Sequence, residues 1–123
     1  RFEYYRFRRR GDGGIDGIIR QDPLGLDLVY LQAKRYAEGN SVGRPDIQAF
    51  VGALHGQQAD RGVFITTSTY TREAQEYTRF LRERIVLIDG RELARHMVLH
   101  NVGVQDQQTF VLKRLDEDYF EAL

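Results

Sequence analysis

The chain has 123 residues, no cysteine, and 18 basic residues against 18 acidic ones. This length predicts one domain with a modest core, and the lack of cysteine excludes disulfides, thiolate zinc sites and a catalytic thiol. Zero net charge excludes an overall field that attracts nucleic acid, so a basic surface would have to be local. Neither a signal-peptide pattern nor an apolar run of about 20 residues is found, so we expect a cytoplasmic protein without a membrane partner.

Aromatic residues alternate with arginines at the start of the chain, residues 1–10. This pattern predicts an edge strand, or an arm whose aromatic rings pack while its arginines face solvent or phosphate. Residues 11–14 are rich in glycine and predict a turn. At the other end, residues 105–123 predict a C-terminal strand followed by a short acidic tail.

A hairpin is predicted where two apolar runs, Ile15 to Ile19 and Leu28 to Leu31, flank a turn segment. That segment contains Asp22-Pro23 and Gly25, which is typical of a hairpin with a longer loop. Side chains in a strand alternate between faces, so the register of the hairpin decides which polar groups meet.

Three polar side chains lie near the ends of these two strands. If the turn is centred on Gly25, Lys34 lies opposite Asp16 and Gln32 lies opposite Ile18. Directly opposed residues share a face and have Cβ atoms about 5 Å apart. The pattern therefore brings a carboxylate, an amide and an ammonium group to one place, whereas a slip of one residue would send Asp16 to the other face.

Two interpretations of this cluster remain open. A carboxylate and an amide carbonyl are hard oxygen ligands suited to Mg²⁺, and the lysine can hold or deprotonate an attacking water and steady a phosphate. Alternatively, Asp16 and Lys34 form a cross-strand pair on a solvated face. Such surface pairs are common and contribute little to stability. Spacing alone favours this second interpretation.

Beyond the hairpin, the sequence predicts helices alternating with short apolar strands. A loop at 36–43 precedes a helix that begins around Pro45 and ends between residues 56 and 60. Ser68 or Thr71 caps a second helix, whose inward face carries Ala74, Tyr77, Phe80 and Leu81. The other elements are buried strands at 62–67 and 85–88, a helix over 93–98, and the C-terminal strand at 109–114. A helix between two buried strands implies a parallel crossover, so we expect an α/β fold with a mixed central sheet flanked by helices.

Asp16 followed by Gln32-Ala33-Lys34 resembles the Asp…Gln-x-Lys variant of the PD-(D/E)xK nuclease motif, as in the Mrr-type restriction endonuclease catalytic domain. The stretch Gly11-Asp12-Gly13-Gly14-Ile15-Asp16-Gly17 resembles a signature of the same family. Further resemblance lies at residues 43–54, 62–68, 86–90 and 100–104. The likeness covers most of residues 11–104, which we therefore take as the nuclease core.

The resemblance implies a restriction-endonuclease-like fold and a type IV restriction-like hydrolase that cuts double-stranded DNA, foreign or methylated. It implies Mg²⁺ as the cofactor, with Mn²⁺ as a substitute. Asp16 would ligate the metal, Gln32 would offer its carbonyl at a position that is acidic in most relatives, and Lys34 would position or activate water. A separate DNA-recognition domain usually accompanies this domain. With one site per chain, cleavage of both DNA strands would need a homodimer or two separate cleavage events.

Two departures from the family pattern support an alternative. The family core commonly begins with a helix that carries a glutamate, whereas residues 1–10 do not match that helix and hold Glu3 as their only acid. Gln32 also removes one negative charge from the site. The alternative function is a catalytically weak or inactive nuclease-fold module that binds DNA.

Three further polar residues are candidates for contact with DNA. Gln48 lies on the helix after the motif, and Arg35 and Arg44 flank the preceding loop. For each of them an equally simple alternative is an exposed polar side chain that is solvated and contacts no DNA.

Overall fold

The computed structural model describes the backbone of residues 3–6 and the whole of residues 15–37 and 39–100. In chain order its elements are β1 (Glu3–Arg6), β2 (Gly17–Arg20), β3 (Leu28–Lys34), β4 (Ser41–Val42), α1 (Arg44–Gly56), β5 (Arg61–Thr66), β6 (Thr69–Tyr70), α2 (Arg72–Arg79), β7 (Arg84–Ile88) and α3 (Gly90–Leu99). The predicted turn at 11–14 and the predicted strand and acidic tail within 105–123 lie outside the described residues.

The main sheet has five strands in the order β1-β2-β3-β5-β7. Strand β2 pairs antiparallel with β1 and with β3, while β5 pairs in parallel with β3 on one side and with β7 on the other. Helix α1 connects β3 to β5, and α2 connects β5 to β7. The predicted mixed α/β sheet flanked by helices is therefore confirmed, and β1 forms one edge of it.

The register of the β2–β3 hairpin differs from the predicted one by two residues. Ile18 pairs with Tyr30 instead of Gln32, so the turn is centred one residue before Gly25. The carboxylate of Asp22 closes this tighter loop by accepting the N–H groups of Leu26 and Asp27 at 3.1 and 2.9 Å. A shift of two residues preserves the alternation of faces, so Asp16 stays on the predicted face.

The core lies between β5 and α1. Alternate residues of β5, namely Gly62, Phe64 and Thr66, are buried, and the rings of Phe64 and Phe50 meet edge to face with centroids 5.5 Å apart. A Cβ on Gly62 would lie 2.6 Å from the Phe50 ring, so the missing side chain is what lets α1 approach the strand. The buried apolar residues are Ile15, Tyr30, Val42, Ile47, Phe50, Val51, Leu54, Phe64 and Ala74.

A small parallel sheet of β4 and β6 forms where the sequence predicts only a loop at 36–43. Its pairing includes a 2.8 Å hydrogen bond between the hydroxyls of Ser41 and Thr69. Two residues give too short an apolar pattern to be seen in the sequence. Of the two predicted caps of α2, Thr71 is the correct one, because its hydroxyl accepts the N–H of Ala74 at 3.1 Å. The Ser68 hydroxyl instead donates to the carbonyl of Asn40.

Two predictions of burial are wrong. Phe80 was expected on the inward face of α2, but it is 87% exposed because the helix ends at Arg79 and Phe80 follows as its C-cap. Strand β7 was expected to be buried, but among the described residues it forms an edge of the sheet, and Val86 is 54% exposed. Within the described residues, no helix is long and apolar enough to cross a membrane.

Candidate active site

Asp16 is fixed to strand β3 by two hydrogen bonds. Its N–H donates to the carbonyl of Leu31 at 2.7 Å, and its Oδ2 accepts the N–H of Ala33 at 2.7 Å. Asp16 directly precedes β2, and β2 runs antiparallel to β3, so the carboxylate lies at the carboxyl end of β3. The two bonds go to Leu31 and Ala33, the residues on either side of Gln32, so the backbones of Asp16 and Gln32 lie side by side.

Gln32 carries a buried acceptor that lacks a partner. Its Oε1 is shielded from solvent and has no hydrogen-bond partner among the described residues. Leaving such a group unsatisfied costs about 1–3 kcal/mol. The structure thus contains a buried carbonyl oxygen, on the same face as Asp16, that calls for a hydrogen-bond donor or a cation.

Lys34 is the last residue of β3 and faces the first turn of α1. Residues Gln32 and Lys34 are paired with Phe64 and Thr66 of β5, so they share the face that α1 covers. The Lys34 ammonium lies 3.8 Å from Oδ1 of Asp46. The predicted partner of Lys34 was Asp16. The shifted register moves Asp16 away from Lys34 along the strand, and Asp46 faces the ammonium instead.

Asp46 and Tyr36 extend the cluster beyond the residues predicted from the sequence. The Tyr36 hydroxyl donates to Oδ2 of Asp46 at 3.0 Å. In the sequence, Asp46 stands out only as an acidic residue in the first turn of the predicted helix. One feature of the sequence could have identified Asp46 as part of the site. It directly precedes Ile47, a core residue of α1, and a residue next to a core position lies at the edge of the packed face of a helix.

The three predicted DNA contacts lie around this cluster without joining it. Gln48 is exposed on α1, and Arg35 is exposed in the loop after β3. The guanidinium of Arg44 lies 5.0 Å above the ring of Tyr77. Arg44 also lines a cleft of about 390 Å³ together with Glu73, Glu76, Tyr77, Phe80 and Leu81. The structure therefore places Arg44 on the side of α2, among acidic neighbours.

Glu3 is the early acid considered as a substitute for the helical glutamate of the family. It begins strand β1, where its backbone pairs with Arg20, whereas Arg6 pairs with Gly17. Arg20 is the end of β2 farthest from Asp16. The backbone register therefore places Glu3 on a strand, four residues or about 13 Å along the sheet from the position next to Asp16.

The donor set at the end of β3 fits a divalent cation that prefers oxygen. Asp16 contributes a carboxylate, and Gln32 contributes a buried carbonyl that has no partner in the part of the chain the structure describes. These are the hard ligands that Mg²⁺ takes together with water and substrate phosphate. Within residues 15–37 and 39–100, no three His, Cys, Asp or Glu side chains come together as a metal site. A cation here would therefore depend on Gln32 as well as on Asp16.

The chain belongs to the restriction endonuclease family, since the Mrr_cat family, described as restriction endonuclease, matches residues 1–97. Among curated proteins it is similar to the type IV methyl-directed restriction enzyme EcoKMrr of Escherichia coli K12. The two are 54% identical over 111 residues, which cover 90% of this chain and 35% of that protein. The chain thus spans about a third of the length of this relative.

Two solved structures resemble the fold. The MspJI restriction endonuclease, in complex with a 27-mer oligonucleotide, superposes with a TM-score of 0.60 at 28% identity and covers 85% of this chain and 25% of its own. The DNA modification-dependent restriction endonuclease AspBHI gives a TM-score of 0.61 at 24% identity, with coverage of 83% and 27%. The second likeness shows the fold alone. Together with the mixed sheet, these matches confirm the predicted restriction-endonuclease-like fold.

Proposed function

We propose that this chain is the catalytic domain of a metal-dependent DNA endonuclease that hydrolyses phosphodiester bonds in a restriction system acting on foreign or methylated DNA. The observation that carries the proposal is the arrangement at the end of β3. There the Asp16 carboxylate accepts the N–H of Ala33. Beside it lies the Gln32 carbonyl, which has no partner among the described residues, and Lys34 follows two residues later on the same strand. These are the three residues in which the chain resembles the nuclease motif.

Each of the three side chains has a separate role in this proposal. Asp16 and Gln32 hold a divalent cation, with Mg²⁺ the expected ion and Mn²⁺ a substitute. When bound, such a cation supplies Lewis-acid stabilisation of phosphate charge and makes hydroxide available near neutral pH. Lys34 orients the attacking water and offers its ammonium to the negative charge that develops on the phosphate. The backbone bonds of Asp16 fix its carboxylate before substrate arrives.

The expected substrate is double-stranded DNA with modified bases. EcoKMrr is named as methyl-directed and MspJI was solved with an oligonucleotide, which supports DNA as the partner. Because the chain matches about a third of EcoKMrr, we expect a separate region of the protein to read the modification. A single site per domain cuts one strand at a time, so cleavage of both strands needs a homodimer or two events.

A plasmid-nicking assay in Mg²⁺, and then in Mn²⁺, on methylated and unmethylated DNA tests the proposal. Asp16→Asn and Lys34→Ala should each reduce nicking by about a hundredfold or more, since each removes a group that acts on the reacting phosphate. Asp60→Asn is the matched control, because this exposed carboxylate lies 3.9 Å from Arg61, outside the site. It should nick at the rate of the unmodified protein.

Equal nicking by all of these proteins would contradict the proposal. Melting temperatures recorded for the same samples separate loss of chemistry from loss of folding. A difference between methylated and unmethylated plasmid would show that the protein itself discriminates the modification.

A catalytically weak or inactive DNA-binding module is the second candidate. It is favoured because the described residues bring no three acidic or histidine ligands together and because Gln32 contributes no charge. Duplex binding without nicking in either metal would support this function, whereas nicking that depends on metal and on Lys34 would exclude it.

A further inference from the structure

The Lys34 ammonium faces Asp46, which in turn is bonded to Tyr36, and the proposed function assigns no role to either residue. Oδ1 of Asp46 lies 3.8 Å from the ammonium, and Oδ2 of the same carboxylate accepts the Tyr36 hydroxyl at 3.0 Å. The two oxygens of one carboxylate thus face two different partners. The carboxylate links a residue of the loop after β3 to the last residue of that strand.

Tyr36 is itself held at the junction of two parallel strands. Its N–H donates to the Thr67 hydroxyl oxygen at 3.2 Å, and that hydroxyl donates to the Tyr36 carbonyl at 3.1 Å. The N–H of Thr67 also donates to the carbonyl of Lys34 at 3.4 Å. These bonds tie the residues that follow β3 and β5 to each other, so the position of the Tyr36 ring is set by the sheet.

Asp46 is fixed from two sides. Its backbone lies in the first turn of α1, where its N–H donates to the carbonyl of Gly43 at 3.1 Å. Burial and the Asp46 carboxylate raise the pKa of Tyr36 above its ordinary value of 10.0, so the phenol remains a donor at neutral pH. The Asp46 carboxylate is therefore held both by its place in the helix and by the hydrogen bond from Tyr36.

The separation between Asp46 and Lys34 matters for chemistry. A hydrogen bond from an ammonium to a carboxylate spans about 2.7–3.2 Å, so 3.8 Å provides attraction without occupying an N–H donor. A lysine has a flexible stem and three rotatable donors. A fixed negative charge at this distance restrains the stem and leaves all three donors available for water and phosphate.

We infer that Asp46, held by Tyr36, is a positioning residue that keeps the Lys34 ammonium aligned for hydrolysis of the phosphodiester. The inference rests on the proposed nuclease function for its effect on rate, but the restraint of Lys34 is a property of the protein alone. Asp46 acts through Lys34 and contacts neither substrate nor cation in this scheme.

The rate of DNA cleavage under single-turnover conditions, measured for the unmodified protein and its variants, tests the effect on rate. Asp46→Asn keeps the shape and removes the charge, and should slow cleavage by on the order of ten- to a hundredfold. Tyr36→Phe removes only the hydroxyl and should slow it by a smaller factor. DNA affinity measured without metal, and the divalent cation concentration that gives half the maximal rate, should stay within about twofold, because misalignment leaves substrate and metal binding intact. Asp46→Glu restores the charge and should recover part of the lost rate.

Two further variants test whether Asp46 acts through Lys34. In a Lys34→Ala background, Asp46→Asn should cause no further loss, since a residue that acts through Lys34 has nothing left to position. Asp60→Asn again serves as the control for removal of an exposed carboxylate, and it should not change the rate. A higher metal requirement in Asp46→Asn, or losses that multiply in the double variant, would overturn the inference.

A readout independent of activity comes from NMR of protein labelled with ¹³C at lysine Cε. The Lys34 signal is assigned by its loss in Lys34→Ala, and its order parameter should fall in Asp46→Asn and Tyr36→Phe but not in Asp60→Asn. An unchanged order parameter would overturn the inference, whatever the activity. If the order parameter falls as expected but the unmodified protein never cleaves DNA, the positioning of Lys34 stands and the proposed nuclease function fails.

Discussion

Two regions of the chain, residues 15–74 and residues 80–100, use similar elements but differ in burial. Every side chain that is buried in the described part of the protein lies in the first region. The second region contains β7 and α3, and α3 has no buried residue. Four of its large apolar side chains are largely exposed to solvent, namely Phe80, Val86, Val98 and Leu99.

The difference follows from the position of the strands in the sheet. Strand β5 has a parallel neighbour on each side and α1 across one face, so alternate residues such as Phe64 are enclosed. Strand β7 has one neighbour in the described sheet, and its side chains are correspondingly more open. An apolar sequence therefore yields a core only where a second layer and flanking strands meet it.

The candidate active site is built on the buried region. Asp16 precedes β2, Lys34 ends β3 and Asp46 lies in α1, all next to packed elements. Chemistry on a phosphate needs groups fixed within about 0.5 Å, which packed elements provide better than open ones. Because, within the described part of the chain, only residues 15–74 contain buried side chains, substitutions there should lower the free energy of unfolding far more than matched substitutions in residues 80–100.

The largest expected effect is that of Phe64→Ala against Phe80→Ala. Phe64 is fully buried and contacts Phe50 and Tyr70, so truncation should lower the free energy of unfolding by about 3–5 kcal/mol. Phe80 is exposed, and its truncation should change that free energy by less than about 0.5 kcal/mol. Urea denaturation of both variants measures the difference. Similar losses in the two variants would show that residues 80–100 are packed as tightly as the core.

A second pair of variants tests the contact between α1 and β5. In Gly62→Ala the new methyl would lie 2.6 and 2.7 Å from two carbons of the Phe50 ring, so the ring or the helix that carries it must shift. We expect a loss of about 1–3 kcal/mol in the free energy of unfolding. Gly52→Ala is the matched control, because it lies within α1 and has no atom within 4 Å of an added Cβ. There alanine should stabilise the helix by about 0.5–1 kcal/mol. Stabilisation by both changes, measured by urea denaturation, would contradict the close packing at Gly62.

Much of the architecture is predictable from the sequence because it depends on local patterns. The apolar run at residues 62–67 indicates β5, and helical spacing of Ile47, Phe50, Val51 and Leu54 indicates α1, whose residues at these positions are indeed buried. The face of Asp16 was also predicted correctly. The register was not, since it depends on the hydrogen bonds of the Asp22 carboxylate within the loop, which no hydrophobic pattern records.

The site was predictable only in part for a related physical reason. Asp16, Gln32 and Lys34 belong to the same hairpin, so their spacing in sequence carries information about where each lies along its strands. Asp46 comes from the following helix, and its contact with Lys34 depends on how α1 packs across the sheet. The exposure of Phe80 likewise depends on where α2 ends, which the helical period alone does not determine.

The smallest predicted effect concerns one side-chain contact between the two regions. Nε2 of His55, in the last turn of α1, lies 2.5 Å from Oε1 of Glu83, directly before β7. The hydrogen bond with His55 is the main cause that lowers the pKa of Glu83 below its ordinary value of 4.5. Because the pKa is lower in the folded state, the contact stabilises the protein fully above that ordinary value, and the stabilisation is lost as the pH falls through the folded-state pKa.

Glu83→Gln tests this link between the regions. The His55 side chain is 61% exposed, so we expect the substitution to lower the free energy of unfolding by less than about 1 kcal/mol near neutral pH. The difference from the unmodified protein should shrink toward zero as denaturation is repeated between about pH 6 and pH 3. Glu76→Gln, which breaks the exposed pair with Arg72 within α2, should cost at most about 0.5 kcal/mol. A difference for Glu83→Gln that grows with acid would show that the neutral carboxyl, and not the carboxylate, stabilises the junction.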